Sequence, residues 1–242
     1  ITKGSDNPYR IALIPFQGES SIAKQANEIV KNDLIRTGEF YIFDEKSLIA
    51  YPPTEDDINY SDWRLINADY VLLTSVIESN SGIEARYEIF DVRKKSKIRS
   101  SKVYGVTNNV RQLSHYVSDG IYEAITGIQG VASTKILYVS QTNDVDASYR
   151  LYVADADGAN EQLLVKSPEP IISPAWSPDS KKVAYVSFET GIANVYIQDI
   201  STGERQSIIK KKCLTCIYNE QISSPSWSPD GKYLSLTLYQ DG

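Results

Sequence analysis

Two cysteines carry the most reactive side chains in this sequence. Cys213 and Cys216 have the C-x-x-C spacing that redox dithiols and zinc sites use. A redox pair normally lies between a strand and a helix, and a structural zinc ion needs four ligands. The surrounding sequence offers neither. The pair therefore predicts a local disulfide in an oxidising compartment, with a free dithiol and then a catalytic dithiol as alternatives.

A nucleophilic hydrolase would need a general base, and the only histidine that could serve is His115. A general base has to lie in a cleft beside its nucleophile. His115 lies on a predicted helix ~160° from the centre of the apolar stripe, given ~100° per residue, so it is predicted to face solvent. The sequence also has no Gly-x-Ser-x-Gly elbow. We therefore expect no catalytic residues.

Three further segments could bind a ligand, and each has a simpler interpretation. Residues 155–160 (Asp-Ala-Asp-Gly-Ala-Asn) resemble part of a calcium loop, but their spacing is not that of an EF-hand and a hairpin turn accounts for them better. Residues 93–102 include six Lys or Arg, which could bind an anion but are better explained as a solvated tip between antiparallel strands. No G-x-G-x-x-G or Walker motif supports a nucleotide. We expect no metal and no cofactor.

Composition excludes two classes of partner. The chain has 242 residues and a formal net charge of −6, a length that suffices for two domains of ordinary size. The acidic balance argues against a nucleic-acid partner. No apolar run reaches the ~18 residues of a membrane helix, so we expect no membrane span.

The first 130 residues alternate between strand and helix patterns. Apolar periodicity over residues 22–34 and 110–124 predicts two amphipathic helices, the second ending at Gly127. Strand patterns occur at residues 9–16, 39–44, 70–77, 83–92 and 98–106. Because a helix separates the first two strands, that pair is predicted to be parallel. We therefore expect an α/β domain, a mixed sheet with two helices, over residues 1–130.

A seven-residue motif occurs twice in the second half of the chain. Ser173-Pro-Ala-Trp-Ser-Pro-Asp179 returns 51 residues later as Ser224-Pro-Ser-Trp-Ser-Pro-Asp230. Because the match includes a Trp in a chain with only 3, we interpret it as an internal repeat of one supersecondary unit. Strand-length runs surround both copies, and helical periodicity ends at residue 130. The pattern predicts blades of a β-propeller over residues 131–242.

The strand runs predict an incomplete propeller. Three strands are predicted before Pro168, four between residues 173 and 209, and two after Ser224. The predicted turns are Asp157-Gly158, Asp179-Ser180, Thr202-Gly203 and Asp230-Gly231. A propeller needs ~4–8 four-stranded blades to close. About two and a half blades do not close, so we expect the sequence to be part of a longer protein.

Four stretches carry a family resemblance. They are Ile11-Ala-Leu-Ile-Pro-Phe16, Ile125-Thr-Gly-Ile-Gln-Gly130, Val139-Ser-Gln-Thr-Asn143 and Ser167-Pro-Glu-Pro-Ile-Ile-Ser-Pro-Ala-Trp-Ser-Pro-Asp179. Together with the order of the domains, they resemble the TolB family, the periplasmic component of the Tol-Pal system. The resemblance extends over essentially the whole chain. It implies a six-bladed propeller and an N-terminal domain similar to anticodon-binding domains, although the acidic balance argues against RNA.

The resemblance implies a non-enzymatic, monomeric binding protein, made with a cleaved signal peptide and working in the periplasm. Its propeller mouth would bind the lipoprotein Pal, and its extended N-terminal segment would bind the inner-membrane protein TolA. This bridge would maintain outer-membrane integrity and its constriction at cell division, and some colicins would exploit the propeller end. Most of the TolA-binding segment would precede Ile1, so we expect this chain to lack most of it.

By the same resemblance, the loops just before each Trp motif face Pal. They correspond to Pro170, Ile171, Ile172, Ser173, Gln221 and Ser224. An ordinary loop between blades and, for the two isoleucines, a local packing role remain the alternatives.

A hydrolase is the alternative function, because Ser-Pro-Asp-Gly repeats also occur beside serine peptidase domains. The chain would then be the propeller of a peptidase, or of another hydrolase, whose catalytic domain is missing. That hypothesis requires peptide or ester turnover and a hydrolase domain after the propeller.

Overall fold

The structure is a computed structural model that describes residues 5–18, 21–79, 82–106, 108–142, 148–208 and 220–240. The chain forms two compact units, Ile1–Thr134 and Lys135–Gly242. The first unit is mixed α/β and the second consists of three blade-like sheets, which confirms the predicted fold class.

A five-stranded mixed sheet forms the centre of the first unit. Its strands are β1 Tyr9–Leu13, β2 Phe40–Ile42, β3 Tyr70–Ser79, β4 Gly82–Asp91 and β5 Ser96–Gly105. They lie in the order β2-β1-β3-β4-β5, with β1 parallel to both β2 and β3 and the other pairs antiparallel. The predicted parallel pair is confirmed. β5 is one edge of the sheet.

Within the described residues, α1 Ser21–Arg36 connects β1 to β2, α2 Tyr60–Leu65 connects β2 to β3, and α3 Val110–Thr126 follows β5. The side chain of Asn109 caps α3 by accepting a hydrogen bond from the Gln112 amide at 3.3 Å. Gly127 ends the same helix in the left-handed region, at φ 75°, where a glycine has no Cβ to clash. Both long helices therefore lie where the apolar periodicity predicts them.

Apolar side chains cover the two faces of this sheet unequally. On one face, α1 and α3 contribute side chains such as Val30, Leu113 and Val117 to a large core against the strands. On the other face, Trp63 and its neighbours cover only part of the strands, with Phe90 beneath them. The rest of this second face carries polar side chains.

The basic residues 93–102 do not form the predicted solvated tip. Asp91 pairs with Ser96, so the turn between β4 and β5 occupies only residues 92–95. Lys97, Arg99 and Lys102 therefore lie on β5 itself, in register with β4. The predicted tip was too long, because the turn ends at Lys95 whereas the basic run continues to Lys102.

The second unit contains three antiparallel sheets of three, four and two strands, as predicted. The orders are β6-β7-β8, β12-β11-β10-β9 and β13-β14. The strands are β6 Lys135–Thr142, β7 Ser148–Asp155, β8 Gln162–Ser167, β9 Ile171–Trp176, β10 Lys182–Ser187, β11 Asn194–Asp199, β12 Arg205–Ser207, β13 Glu220–Trp227 and β14 Leu234–Gln240. We call the three sheets blades 1, 2 and 3.

Hydrogen bonds close the predicted turns between the blade strands. The donor and acceptor pairs are Gly158 N to Asp155 O, Ser180 N to Ser177 O, Gly203 N to Asp199 O and Gly231 N to Ser228 O, at 2.8 to 3.0 Å. The segment that resembled a calcium loop is thus the turn from β7 to β8, as its simpler interpretation predicted.

Side chains from neighbouring blades form one continuous core. Leu151 and Val165 of blade 1 are buried in the same cluster as Val183 and Tyr185 of blade 2. The Trp227 indole of blade 3 donates a hydrogen bond to the Ala175 carbonyl of blade 2 at 3.4 Å. The second Trp of the repeated motif therefore fastens its blade to the one before it.

Candidate functional site

The predicted partner-binding residues of blade 2 lie mostly in a strand. Pro170 precedes β9, but Ile171 and Ile172 pair with Ser187 and Val186 of β10, so the prediction of a loop is wrong from Ile171 onward. Alternation along the strand separates the two isoleucines. Ile171 is 2% exposed and packs in the core, whereas Ile172 is 38% exposed. Ile172 and the partly exposed Pro170 are thus the accessible apolar groups.

Both serines of the prediction lie at β-bulges. In blade 2, Ser173 and Pro174 together oppose Tyr185, and Ser173 has a left-handed φ of 52°. In blade 3, Ser224 occupies the same position with a φ of 54° and opposes β14. A bulge re-aims the strand and increases its local twist. The Ser-Pro pair of each motif therefore shapes the first strand of its blade.

The remaining predicted residues belong to blade 3 or to the segment before it. The backbone of Gln221 pairs with Tyr239 in β13–β14. Ser224 is exposed. Cys213 and Cys216 lie outside the described residues, so their disulfide stays a prediction.

The start of β9 lies at the same end of blade 2 as the turn after β10. The Phe188 amide donates to the Pro170 carbonyl at 3.0 Å. In that turn, Glu189 accepts two hydrogen bonds from Arg205, at 3.0 and 2.5 Å. The Arg205 guanidinium also lies over the Tyr196 ring, 4.8 Å from its centroid. This ion pair fixes the end of the blade that carries Pro170 and Ile172.

The Glu189–Arg205 pair was not predicted from the sequence. The two residues are 16 positions apart, one in the turn after β10 and the other on β12, and no local motif joins them. A signal could have come only from knowing that β10, β11 and β12 are adjacent. Glu189 and Arg205 are therefore additional candidates for supporting the site.

The Ser-Pro-Asp motif forms the opposite end of each blade. Ser177 Oγ donates to Asp179 Oδ1 at 2.7 Å and accepts from the Lys182 amide at 2.9 Å. The Lys181 amide also donates to Asp179, at 3.1 Å. These bonds turn the chain from β9 into β10 without any partner from elsewhere in the fold.

The same hydrogen bonds occur in blade 3, around Asp230. Ser228 Oγ donates to Asp230 at 2.6 Å and the Lys232 amide donates at 3.1 Å. The serine hydroxyl and then the lysine amide hold the pKa of Asp230 below its usual value, and Ser177 and Lys181 do so for Asp179. Both aspartates are thus stabilised as turn-forming carboxylates.

His115 lies in the first unit and is not solvent-facing, so that prediction was wrong. It is 1% exposed, and its Nδ1 lies 2.7 Å from Asp33 Oδ2 on α1. Ser118 Oγ donates to the same oxygen at 2.8 Å, and Arg36 donates to Asp33 Oδ1 at 2.7 Å. The polar side of α3 packs on α1, so the apolar stripe alone understates how much of this helix is buried.

The Asp33, His115 and Ser118 side chains do not form a nucleophilic triad. In such a triad the histidine lies between the carboxylate and the serine. Here the Ser118 hydroxyl donates directly to the carboxylate. The arrangement suits a buried link between two helices.

Comparison with known proteins decides the family. Residues 1–98 match the model of the TolB amino-terminal domain, and residues 122–242 match that of the TolB beta propeller domain. The chain belongs to the TolB family. The propeller match begins at residue 122, within α3, whereas the two units of the structure divide after Thr134.

Individual TolB proteins are similar over nearly all of this chain. The Tol-Pal system protein TolB of Alcanivorax borkumensis is 36% identical over 100% of the chain and 55% of its own length. That of Hahella chejuensis is 38% identical over 88% of the chain and 51% of its length. The crystal structure of TolB from Acinetobacter baumannii matches with a TM-score of 0.85 and 37% identity, over 99% of this chain and 57% of that one. The chain therefore spans about half the length of these relatives.

Within the described segments, no helix is both long and apolar enough to cross a bilayer.

Proposed function

We propose that this protein is a non-enzymatic binding protein of the periplasm that connects the lipoprotein Pal with TolA. The observation that carries the proposal is the similarity, over the whole chain, to a protein named Tol-Pal system protein TolB. The bridge would keep the outer membrane intact and constrict it at division. The extended N-terminal segment would bind TolA, and colicins would use the propeller end.

The Pal site in this proposal is the blade end that carries Pro170 and Ile172. Strand pairing, the Ser173 bulge and the Glu189–Arg205 ion pair hold this end in one conformation. A surface that is already ordered loses little entropy when a folded partner docks, so more of the contact energy appears as affinity. Gln221 and Ser224 would extend the surface onto blade 3.

The support differs among the proposed contact residues. Ile172 offers an exposed apolar side chain, which partner interfaces use at their centres. Ile171 is buried and would act only by holding β9 in place. Ser173 would act through the bulge. Substitution of Ile172 is therefore the sharpest test.

The test measures binding of the intact protein to the soluble domain of Pal by isothermal titration calorimetry. We expect a Kd of ~1 μM or tighter, and a loss of at least about ten-fold for Ile172→Asp, because the carboxylate would be desolvated in the interface. Tyr233→Ser is the control, since Tyr233 is 72% exposed beside the opposite turn. The absence of any binding by the intact protein would exclude the proposal, and equal losses in both variants would exclude this site.

A further inference from the structure

The outer edge of the first unit's sheet is long and unpaired. β5 runs from Ser96 to Gly105, is 10 residues long and pairs with β4 along its length. Within the described residues, no strand pairs with its other side. The opposite edge of the sheet, β2, has only 3 residues. A long edge strand presents a row of unpaired amides and carbonyls that can accept another strand.

The side chains of this edge are accessible. Ile98 is 37% exposed and Tyr104 is 69% exposed. The side chains of Lys97, Lys102 and Tyr104 lie on the same sheet face as the Trp63 core, because they pair with Phe90, Arg86 and Glu84. Lys102 and Tyr104 are exposed there. A strand added beside β5 would therefore meet side chains as well as backbone.

The charge of the edge is positive and only partly neutralised. Lys97 binds Glu55 and Glu88 at 2.7 and 2.9 Å. Lys102 lies 3.7 Å from Glu84, a carboxylate that it shares with Arg86. Among the described residues, Lys95 and Arg99 have no ion-pair partner. The edge and the turn before it therefore carry cations that could pair with an incoming acidic chain.

These charges also determine what the edge rejects. β5 carries Lys97, Arg99 and Lys102 but no carboxylate, so a second β5 strand would bring like charges together and offer them no acidic partner. β5 also has an extra residue, Ile98, at the point where its register with β4 shifts between Ile89 and Phe90. Such a bulge disfavours pairing with an arbitrary strand. A second copy of the chain is thus a poor occupant, and an acidic strand is a good one.

We propose that β5 is a docking edge to which an extended acidic segment of another protein adds as a sixth strand. Backbone hydrogen bonds would supply affinity, and carboxylates beside Lys95, Arg99 and Lys102 would supply selectivity. An apolar residue near one end would contact Tyr104. The proposal concerns the first unit and stands independently of the Pal site on the blades.

The experiment uses the intact protein and a synthetic ten-residue probe peptide in which two Glu alternate with two Val, so that carboxylates lie on both faces of the added strand, as Arg99 and Lys102 do on β5. Fluorescence anisotropy measures its affinity, and hydrogen exchange measures protection of the amides of residues 96–105. We expect saturable binding that weakens with salt and slower exchange in β5. Two control peptides separate charge from strand pairing: one has Gln in place of each Glu, and the other has Pro in place of each Val.

The matched variants change charge without breaking a contact. Lys95→Glu with Arg99→Glu should weaken binding of the Glu-Val peptide about ten-fold or more, since two favourable charge pairs become repulsive. Lys24→Glu with Lys46→Glu makes the same charge change at exposed positions of the first unit and should leave the affinity unchanged. Circular dichroism establishes that all variants are folded.

Each other result contradicts the proposal. If the Pro-containing peptide binds as well as the Glu-Val peptide, the attraction is a charge effect without an added strand. If β5 amides gain no protection, or if both variant pairs lose affinity equally, β5 is not the docking edge. Self-association of the intact protein that the Lys95→Glu, Arg99→Glu variant abolishes would identify a second copy as the occupant.

Discussion

Asp33 in the first unit and Asp179 in the second both accept side-chain hydrogen bonds, but they do so over different distances along the chain. The donors to Asp33 include His115 and Ser118, 82 and 85 positions away. The donors to Asp179 are Ser177 and Lys181, each two positions away. Asp33 is 3% exposed, whereas Asp179 is exposed.

This difference determines what each carboxylate contributes. Removing Asp33 would leave the buried His115 Nδ1 without this partner and would take one of two acceptors from the buried Ser118 hydroxyl, at a site that bulk water does not reach. Removing Asp179 would leave donors that water can reach. The buried group should therefore stabilise tertiary structure, and the turn group should mainly set local geometry.

The largest expected effect is that of Asp33→Ala. We expect a loss of roughly 3 kcal/mol or more in the free energy of unfolding, because His115, Ser118 and Arg36 lose a shared buried acceptor. Urea unfolding, monitored by hydrogen exchange of the α1 and α3 amides, measures this loss of stability. Asp56→Ala, at an exposed position, is the control and should stay within ~0.5 kcal/mol of the parent. Equal losses in the two variants would contradict the comparison.

An intermediate effect is expected for Arg205→Met, which removes a half-buried ion pair between the turn after β10 and β12. The loss of its bonds to Glu189 and its contact with Tyr196 should cost about 1 kcal/mol. Lys31→Met is the matched control, since the Lys31–Asp44 pair spans 3.3 Å at the surface. Urea unfolding of the intact protein, monitored in both units by hydrogen exchange, should distinguish the two variants. A Lys31→Met effect as large as that of Arg205→Met would contradict the expected difference.

A smaller effect on stability is expected at the turn between the first and second strands of blades 2 and 3. Ser180 has a φ of 58° where the other copy has Gly231 at 70°, and a side chain is strained in this region. Ser180→Gly should raise stability by ~0.5 kcal/mol, after the greater freedom of glycine in the unfolded chain is included. Gly231→Ser should lower it by a similar amount, and thermal unfolding measures both. Changes of the same sign would show that the turns are not equivalent.

The smallest effect concerns pH and the Asp179 carboxylate. Its folded pKa lies below its usual value, so the stability it contributes is present above the unfolded pKa of ~3.9 and is lost as pH falls through the folded value. The difference in melting temperature between the parent and Asp179→Asn should be constant above about pH 5 and shrink below pH 4. A difference in melting temperature that grows as the pH falls would contradict the expected direction.

The sequence predicted a region well where its structure depends on residues close together in the chain, and poorly where it depends on distant ones. The blade strands and their turns were predicted because each depends on residues a few positions apart, such as Ser177 with Asp179. The helices of the first unit were predicted from their periodicity. His115 was placed on the wrong side because its partner, Asp33, is distant in sequence.

For the candidate site, the sequence predicted which residues to consider but not their geometry. Alternation within β9 buries Ile171 and exposes Ile172, a distinction that depends on where the strand begins. The bulges at Ser173 and Ser224, and the Glu189–Arg205 pair, need a register between strands that no local motif specifies.

By itself, the sequence determined the order of strands and helices, the repeat and the family resemblance, because periodicity, turn chemistry and motifs are local properties of a chain. Tertiary structure alone decided which polar groups are buried together and which edge stays open. Burial of Asp33 beside His115, and the exposure of β5, arise only when distant segments pack and exclude water from some faces while leaving others accessible.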